Sequence, residues 1–186
     1  MFPAHLGPDV EVDIELGCSD AKFSFALARA HPERFVIGLE LRDSVVARAQ
    51  ARAQSLALPN VRIAYCNLAV DLDRVVPTRS VDRFHLLFPD PWFKPRHRKR
   101  RVLAPELLAV IHDRLRDGGE LHFASDVFEL AMIAMAEVDG EAESGFENLA
   151  GPWHFTRDNP YGVTSRREDQ TVREGGRVWR LRWRAR

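Results

Sequence analysis

What most restricts the fold of this chain is a regular alternation of short apolar segments with helical ones, running from residue 12 to residue 125. VDIEL (12–16) sets Val12, Ile14 and Leu16 against Asp13 and Glu15, the period-two pattern of a strand, and stops at Gly17. KFSFALARA (22–30) reads as a helix. FVIGLE (35–40) is apolar almost throughout, as suits a strand buried on both faces of a parallel sheet. DSVVARAQARAQSLA (43–57) predicts a helix with Asp43 as its N-cap. The order then repeats. VRIAY (61–65) and VDRFHLLF (81–88) predict strands, and PELLAVIHDRLR (105–116) predicts a helix with Pro105 in its first turn. Gly118 and Gly119 are expected to close that helix before the strand ELHFAS (120–125). Such an order implies an α/β fold with a mainly parallel, doubly wound sheet, whose ligand crevice lies beyond the carboxyl ends of the strands.

The pattern changes near residue 139. EVDGEAESGFENLAGPWHF (137–155) predicts an acidic, solvated loop. In the tail VWRLRWRAR (178–186), Trp179, Leu181 and Trp183 fall on one face and Arg180, Arg182 and Arg184 on the other. That is a final strand that completes the sheet, its arginines serving either as solvated edge protection or as an extension of an RNA surface. No repeat or long Gly/Ser linker divides the chain, so residues 1–186 are expected to form one domain. Cys18 and Cys66 lack metal-ligand spacing and read as buried thiols, with no disulfide and no zinc. No apolar run approaches the ~20 residues needed to cross a bilayer. The opening MFPAHLGPDVEVDIEL has no basic segment followed by an apolar one, so no signal peptide is expected and the cytoplasm is the expected location. Because 27 basic and 27 acidic side chains cancel, any nucleic-acid contact has to come from local clustering.

Two stretches carry the chemistry. In DIELGCSDAKF (13–23) a strand turns into a helix at Glu15 and Gly17, the place where such folds hold a nucleotide-like ligand. Glu40 ends the second strand, from which a carboxylate reaches ribose hydroxyls. Ser19 and Ala21 stand where further glycines are expected, which predicts a less open loop, and the same residues also suit a plain strand-to-helix turn. The lack of GxxxxGK[ST] anywhere argues against a P-loop enzyme, and S-adenosylmethionine, a cofactor with ribose hydroxyls but no need of a phosphate cradle, fits better. The second stretch, FPDPWFKPRHRKRR (88–101), follows the strand 81–87. Pro89 and Pro91 restrict the backbone on either side of Asp90, so the carboxylate is held with little freedom. Lys94, Arg96, Arg98, Lys99, Arg100 and Arg101 then crowd six cations into eight residues, which suits a row of phosphates.

FPDPWFKPRHRKRR, together with DIELG (13–17), IGLE (37–40), PNVRI (59–63), HFASD ending at Asp126 and the late GGRVWRL, resembles the tRNA (guanine-N7) methyltransferase family over residues 11 to 183. The resemblance implies a Rossmann-like class I methyltransferase fold with an antiparallel C-terminal strand. It implies S-adenosylmethionine as cofactor, S-adenosylhomocysteine as product, no metal, tRNA as partner, no membrane, and a monomer or homodimer. Glu15, Gly17, Glu40 and Asn67 are then expected to bind the cofactor, and Asp90 to serve at the junction of cofactor and base, as a cofactor contact and as the catalytic residue. Lys94 and Asp126 are implied to contact tRNA, 96–101 to form the basic RNA-binding segment, and Ser165, Arg166, Arg167 and Glu168 to match the family's late Thr-x-aromatic-Glu motif. Asn67 stands where an aspartate is common, and Arg167 where the family has an aromatic ring. Two other readings stay open. A divergent RNA-binding module with weak or no catalysis is favoured by Ser19, Asn67 and Arg167. A methyltransferase for another base or a small molecule is disfavoured by Asp-Pro-Trp in place of an acidic/Asn-Pro-Pro-aromatic motif.

Overall fold

A computed structural model of the chain describes residues 6–7, 9–90, 103–140 and 144–186. Five strands, β1 (Val12–Leu16), β2 (Phe35–Glu40), β3 (Val61–Tyr65), β4 (Val81–Leu87) and β5 (Leu115–Ser125), pair in parallel. β6 (Phe146–Asn148) and β7 (Trp179–Ala185) complete one sheet in the order β3-β2-β1-β4-β5-β7-β6, with β7 antiparallel to both neighbours. On one face α1 (Lys22–Ala30) and α2 (Asp43–Ser55) pack onto Val36, Ile63, Leu87 and Ala124. On the other, α3 (Leu72–Val75), α4 (Pro105–Arg114) and α5 (Phe128–Asp139) cover Ile14, Leu39, Phe84 and Phe123. α6 (Arg166–Arg173) precedes β7 in the chain. No helix among the described residues is long and apolar enough to cross a membrane.

The strands and first helices stand close to where periodicity puts them, with four differences. Asp43 is the first helical residue of α2, while Arg42 occupies the N-cap and makes no side-chain cap bond. α4 ends at Arg114, and Gly118 and Gly119 lie inside the long β5, where the pairing with β4 slips between Val81 and Arg83. The stretch expected to be a loop holds the end of α5 and all of β6. Asp139 explains this, since it accepts bonds from Trp183 Nε1 (2.6 Å), Asn148 Nδ2 (2.8 Å) and the Trp153 amide (2.8 Å) and so draws the segment onto β7. β7 is therefore an inner strand. Its arginines protect no edge: Arg180 pairs with Glu168 (2.5 Å) and Arg182 with Glu120 (2.7 Å).

The polar face of β1 is also buried. Asp13 and His85 are fully enclosed, with His85 Nε2 2.7 Å from Asp13 Oδ1 and His85 Nδ1 3.3 Å from Nδ1 of His122. The rings of Phe23 and Tyr161 close over them at 5.0 and 4.7 Å from the His85 ring. Burial alone would raise the Asp13 carboxyl, but the His85 hydrogen bond and the charges of His85, Arg83 and Arg34 hold it below its ordinary value. Cys18 and Cys66 are both buried and unpaired, as the sequence suggests.

Candidate active site

Because β1 has β2 on one side and β4 on the other, the chain leaves these strands in opposite directions, the arrangement in which α/β folds place a ligand crevice at the carboxyl ends. The turn after Leu16 thus lies beside residues 88–90, the start of the second chemical stretch.

In the first of these, Gly17 takes φ 77°, and the amides of Gly17 and Cys18 both donate to the Leu39 carbonyl, at 2.9 and 2.8 Å. Ser19 (φ 48°) and Ala21 (φ 55°) adopt the left-handed backbone that glycine favours. The loop therefore keeps a glycine-like path without the glycines, at a cost of roughly 1–2 kcal/mol for each such residue. Bonds from the Ala21 amide to the Cys18 carbonyl (2.7 Å) and from the Ser19 amide to Glu40 Oε2 (3.0 Å) offset it. A Cβ added to Gly17 would meet no atom within 4 Å, so this side of the turn is open. Gly38 is the reverse case. A Cβ there would stand 2.7 Å from Ile63 Cδ1 and 2.9 Å from Cys18 Sγ, so β2 needs a glycine to let the loop thiol pack against it.

The two carboxylates at this end differ. Glu15 is 4% exposed and, among the described residues, accepts only from Ser24, through the amide at 3.1 Å and the hydroxyl at 2.5 Å. Burial outweighs those bonds, and with Asp20 and Glu40 nearby it pushes the Glu15 carboxyl up to about 8. Glu40 accepts from the amides of Leu41 (2.9 Å), Arg42 (3.1 Å) and Ser19 (3.0 Å), and from Arg42 Nε (3.0 Å) and Nη2 (3.1 Å). Burial acts to raise it, yet the Arg42 side chain and these amides bring it below its ordinary value. Asn67, just beyond β3, uses its amide on Asp71 (3.1 Å) and its Oδ1 on the Ala69 amide (3.2 Å).

On the β4 side, Phe88 takes φ 50°, directly before Pro89, with its amide on the Ala124 carbonyl at 2.7 Å. This bend turns the chain outward at Asp90, which is exposed. Its charge, after that of Glu40, contributes to raising the Arg42 guanidinium, which puts Asp90 within electrostatic reach of the Glu40 group. The basic residues Lys94, Arg96, Arg98, Lys99, Arg100 and Arg101 lie outside the described residues.

At the end of β5, Asp126 Oδ2 receives Arg167 Nε (2.8 Å) and Nη2 (2.7 Å) and the Thr171 hydroxyl (3.1 Å). Ser165 caps α6, its hydroxyl accepting from the Glu168 amide at 3.1 Å. Glu168 is 2% exposed and turned to Arg180 and to Asn159 Nδ2 (3.3 Å). Arg166 reaches back to Asp20 at 2.5 Å, and Lys22 pairs with Asp169. Ser165, Arg166, Arg167 and Asp126 are thus brought together beside the cofactor-type loop, whereas the Glu168 carboxylate is held inside. Sequence reasoning missed Asp20, Ser24, Arg42 and Asp169, whose partners lie far away in the chain or carry no motif. A cavity of about 500 Å³ lined by Gln50, Ala57, Pro59 and Ile63 lies against α2 and β3, apart from these residues.

The family model described as a putative methyltransferase matches residues 9–181. A tRNA (guanine-N(7)-)-methyltransferase of Synechococcus sp. (strain CC9902) is 36% identical over 182 residues, 95% of this chain and 76% of its own. One from Nostoc sp. (strain PCC 7120 / SAG 25.82 / UTEX 2576) is 33% identical over 180 residues, 95% of this chain and 81% of its own. Among solved structures, the 16S rRNA methyltransferase KamB superposes with a TM-score of 0.65 at 21% identity, covering 94% of this chain and 87% of that one. The antibiotic-resistance methyltransferase Kmr gives 0.61 at 22%, over 94% and 86%. At those identities the likeness is one of fold, the Rossmann-like methyltransferase fold.

Proposed function

The chain belongs to the tRNA (guanine-N7) methyltransferase family, and on that premise we propose that it transfers a methyl group from S-adenosylmethionine to N7 of a guanine in tRNA, leaving S-adenosylhomocysteine. The observation that carries this reading is the adjacency of β1 and β4, which sets the Gly17 turn beside the segment leading to Asp90. We take residues 1–186 as a single methyltransferase domain, built on one continuous sheet. It acts in the cytoplasm as a monomer or homodimer.

The residues fit the cofactor. Gly17 leaves open space at the turn, and Glu40 presents an ionised carboxylate at the end of β2, kept in place by three backbone amides. Arg42, exposed over much of its side chain, is the partner of Glu40 that can give way to ribose hydroxyls. Asn67 has donor and acceptor for an adenine edge, and Glu15 lines the floor of the same turn. When bound, S-adenosylmethionine supplies an electrophilic methyl carbon.

Guanine N7 has an exposed lone pair and no proton to lose, so the chain needs no strong base. Its main task is placement, which turns a collision of two solutes into an encounter within one site. As the new C–N bond forms, positive charge appears on the purine. Asp90 meets that charge with its carboxylate and accepts from the base's N–H groups. Asp126 and Ser165 to Arg167 shape the RNA side, with Glu168 bracing α6 from within, and Lys94 with 96–101 holds the phosphates.

The test is incubation of the purified chain with unmodified tRNA and labelled S-adenosylmethionine, followed by borohydride and aniline cleavage. Label in the tRNA with scission at one guanine is expected. Label without scission overturns N7 as the acceptor. Neutralising Arg98, Lys99 and Arg100 together should flatten the slope of log affinity against log salt by about 0.7–0.9 for each phosphate that is no longer neutralised. An unchanged slope removes the phosphate role.

A further inference from the structure

Beside the crevice lies an aromatic surface that methyl transfer as described does not use. Phe128 opens α5 two residues after Asp126, and Trp179 opens β7 opposite Ser125. Phe155 sits next to Thr156, which bridges to Arg180 of the same strand. The ring centroids of Phe128 and Phe155 lie 4.7 and 4.9 Å from that of Trp179, and the Arg177 guanidinium stands 3.9 Å over the Trp179 ring. Phe128 is 44% exposed, and Arg177 is exposed too. Along α5, Phe128 prolongs the buried stripe of Ala131, Met135 and Val138 past the end of the sheet, so its outer ring face is left to solvent.

Three clustered rings with an arginine plane stacked on one of them match what single-stranded RNA binds. Unpaired bases stack on aromatic faces and guanidinium planes, and every base offers such a face. A reason to need one exists here. An enzyme that does chemistry on a base takes it from its stack, and the neighbouring bases then lose their stacking partner. The cluster adjoins Asp126 at the carboxyl edge, so bases next to a guanine in the crevice fall within its reach. The Arg177 guanidinium adds a positive charge at the rings, which suits RNA. We propose that Phe128, Phe155, Trp179 and Arg177 form a stacking platform for unpaired nucleotides flanking the target guanine. This rests on the functional reading above and adds to it the recognition of a locally unstacked RNA segment.

The test compares Phe128→Ala, Phe128→Leu and Phe128→Tyr with the wild-type chain in tRNA binding over a salt series, in S-adenosylmethionine binding, and in thermal melting. The Ala and Leu variants should each bind tRNA about tenfold more weakly at every salt concentration, the order expected when one base stack is removed. Their salt slope should be unchanged, because stacking releases no counterions. The Tyr variant, which keeps the ring, should bind as the wild type does, and cofactor affinity should hold in all three. Phe128→Leu keeps apolar bulk without a π face, so wild-type tRNA affinity in that variant overturns the platform even if Phe128→Ala melts early. Self-association that Phe128→Ala abolishes, with tRNA affinity intact, overturns it in favour of a second copy of the chain. A wild-type chain that binds and methylates tRNA while all three variants match it sinks the platform alone. One that neither binds nor methylates tRNA sinks the functional reading with it.

Discussion

The two halves of the carboxyl edge are held together by different means. Around β1 and β2, Glu40 is fixed by the amides of Ser19, Leu41 and Arg42 in addition to the exposed Arg42 side chain, and the Gly17 and Cys18 amides share the Leu39 carbonyl. Around β5 and α6 the carboxylates are held by cationic side chains: Asp126 by Arg167, Glu168 by Arg180, Asp20 by Arg166 and Asp169 by Lys22. Backbone amides stay where the fold puts them, so the first half is shaped in advance for a small ligand of fixed size. An exposed arginine can exchange its carboxylate for a phosphate, so the second half is suited to a large, variable partner. Of these four pairs only Glu168–Arg180 is shielded from water, and it acts as an internal brace between α6 and β7.

The contrast between the halves breaks first, and most severely, at that brace. Glu168→Ala leaves the Arg180 charge buried without a partner and should cost about 3–5 kcal/mol. Thermal melting should show it, while the exposed Arg166→Ala changes stability by no more than about 1 kcal/mol. Equal losses for the two would mean that burial does not separate these pairs. Next comes pH, on the amide-held side. The folded chain keeps the Glu15 proton until about 8, whereas the unfolded chain releases it near the ordinary 4.5. More protons are bound in the folded state across that window, so unfolding free energy falls as pH rises through it and levels off above. The expected slope amounts to a few kcal/mol in total, on the order of 1.4 per unit of displacement. Glu15→Gln should flatten it in urea titrations run from pH 5 to 9.

Between the halves stands Asp90. Asp90→Asn should lower single-turnover methyl transfer about 100-fold, the scale on which a transition state responds to the removal of one electrostatic partner, with cofactor affinity within a few-fold. Losses of equal size in both would make Asp90 a cofactor ligand or a prop. Glu40→Gln should do the opposite, weakening S-adenosylmethionine about tenfold in calorimetry and leaving tRNA affinity alone. The smallest effect is expected at Ser19→Gly, which relieves a left-handed backbone in an exposed loop. It should raise stability by up to about 1 kcal/mol without loss of cofactor binding, by melting and calorimetry.

Much of the architecture was legible in the sequence. Apolar period and chain direction sufficed for β1 to β5 and for α1, α2 and α4, and they placed Glu15, Glu40 and Asp90 at one edge. α6 had a local signal in Ser165-x-x-Glu168, the pattern of a capping box, which a reading of those residues as a substrate motif passes over. The glycine-poor loop misled for a definite reason. Residue type sets the cost of a left-handed backbone, whereas the bonds that offset it, to Glu40 and Cys18, depend on a neighbouring strand. The arginines of β7 misled in the same way: alternation places them on one face but says nothing of Glu168 and Glu120 opposite them.

The sequence by itself determined the kinds of element, their order and the chemical residues at their ends, because these depend on interactions within a few residues. Only the tertiary structure decided that the Gly17 turn and the start of the Asp90 segment lie side by side at one sheet edge, that Arg166 meets Asp20 146 residues away, and that two glutamates of one type hold their protons so differently. Strand order, ion pairing and burial join residues that are remote along the chain, and nothing in a local pattern specifies which of them will meet.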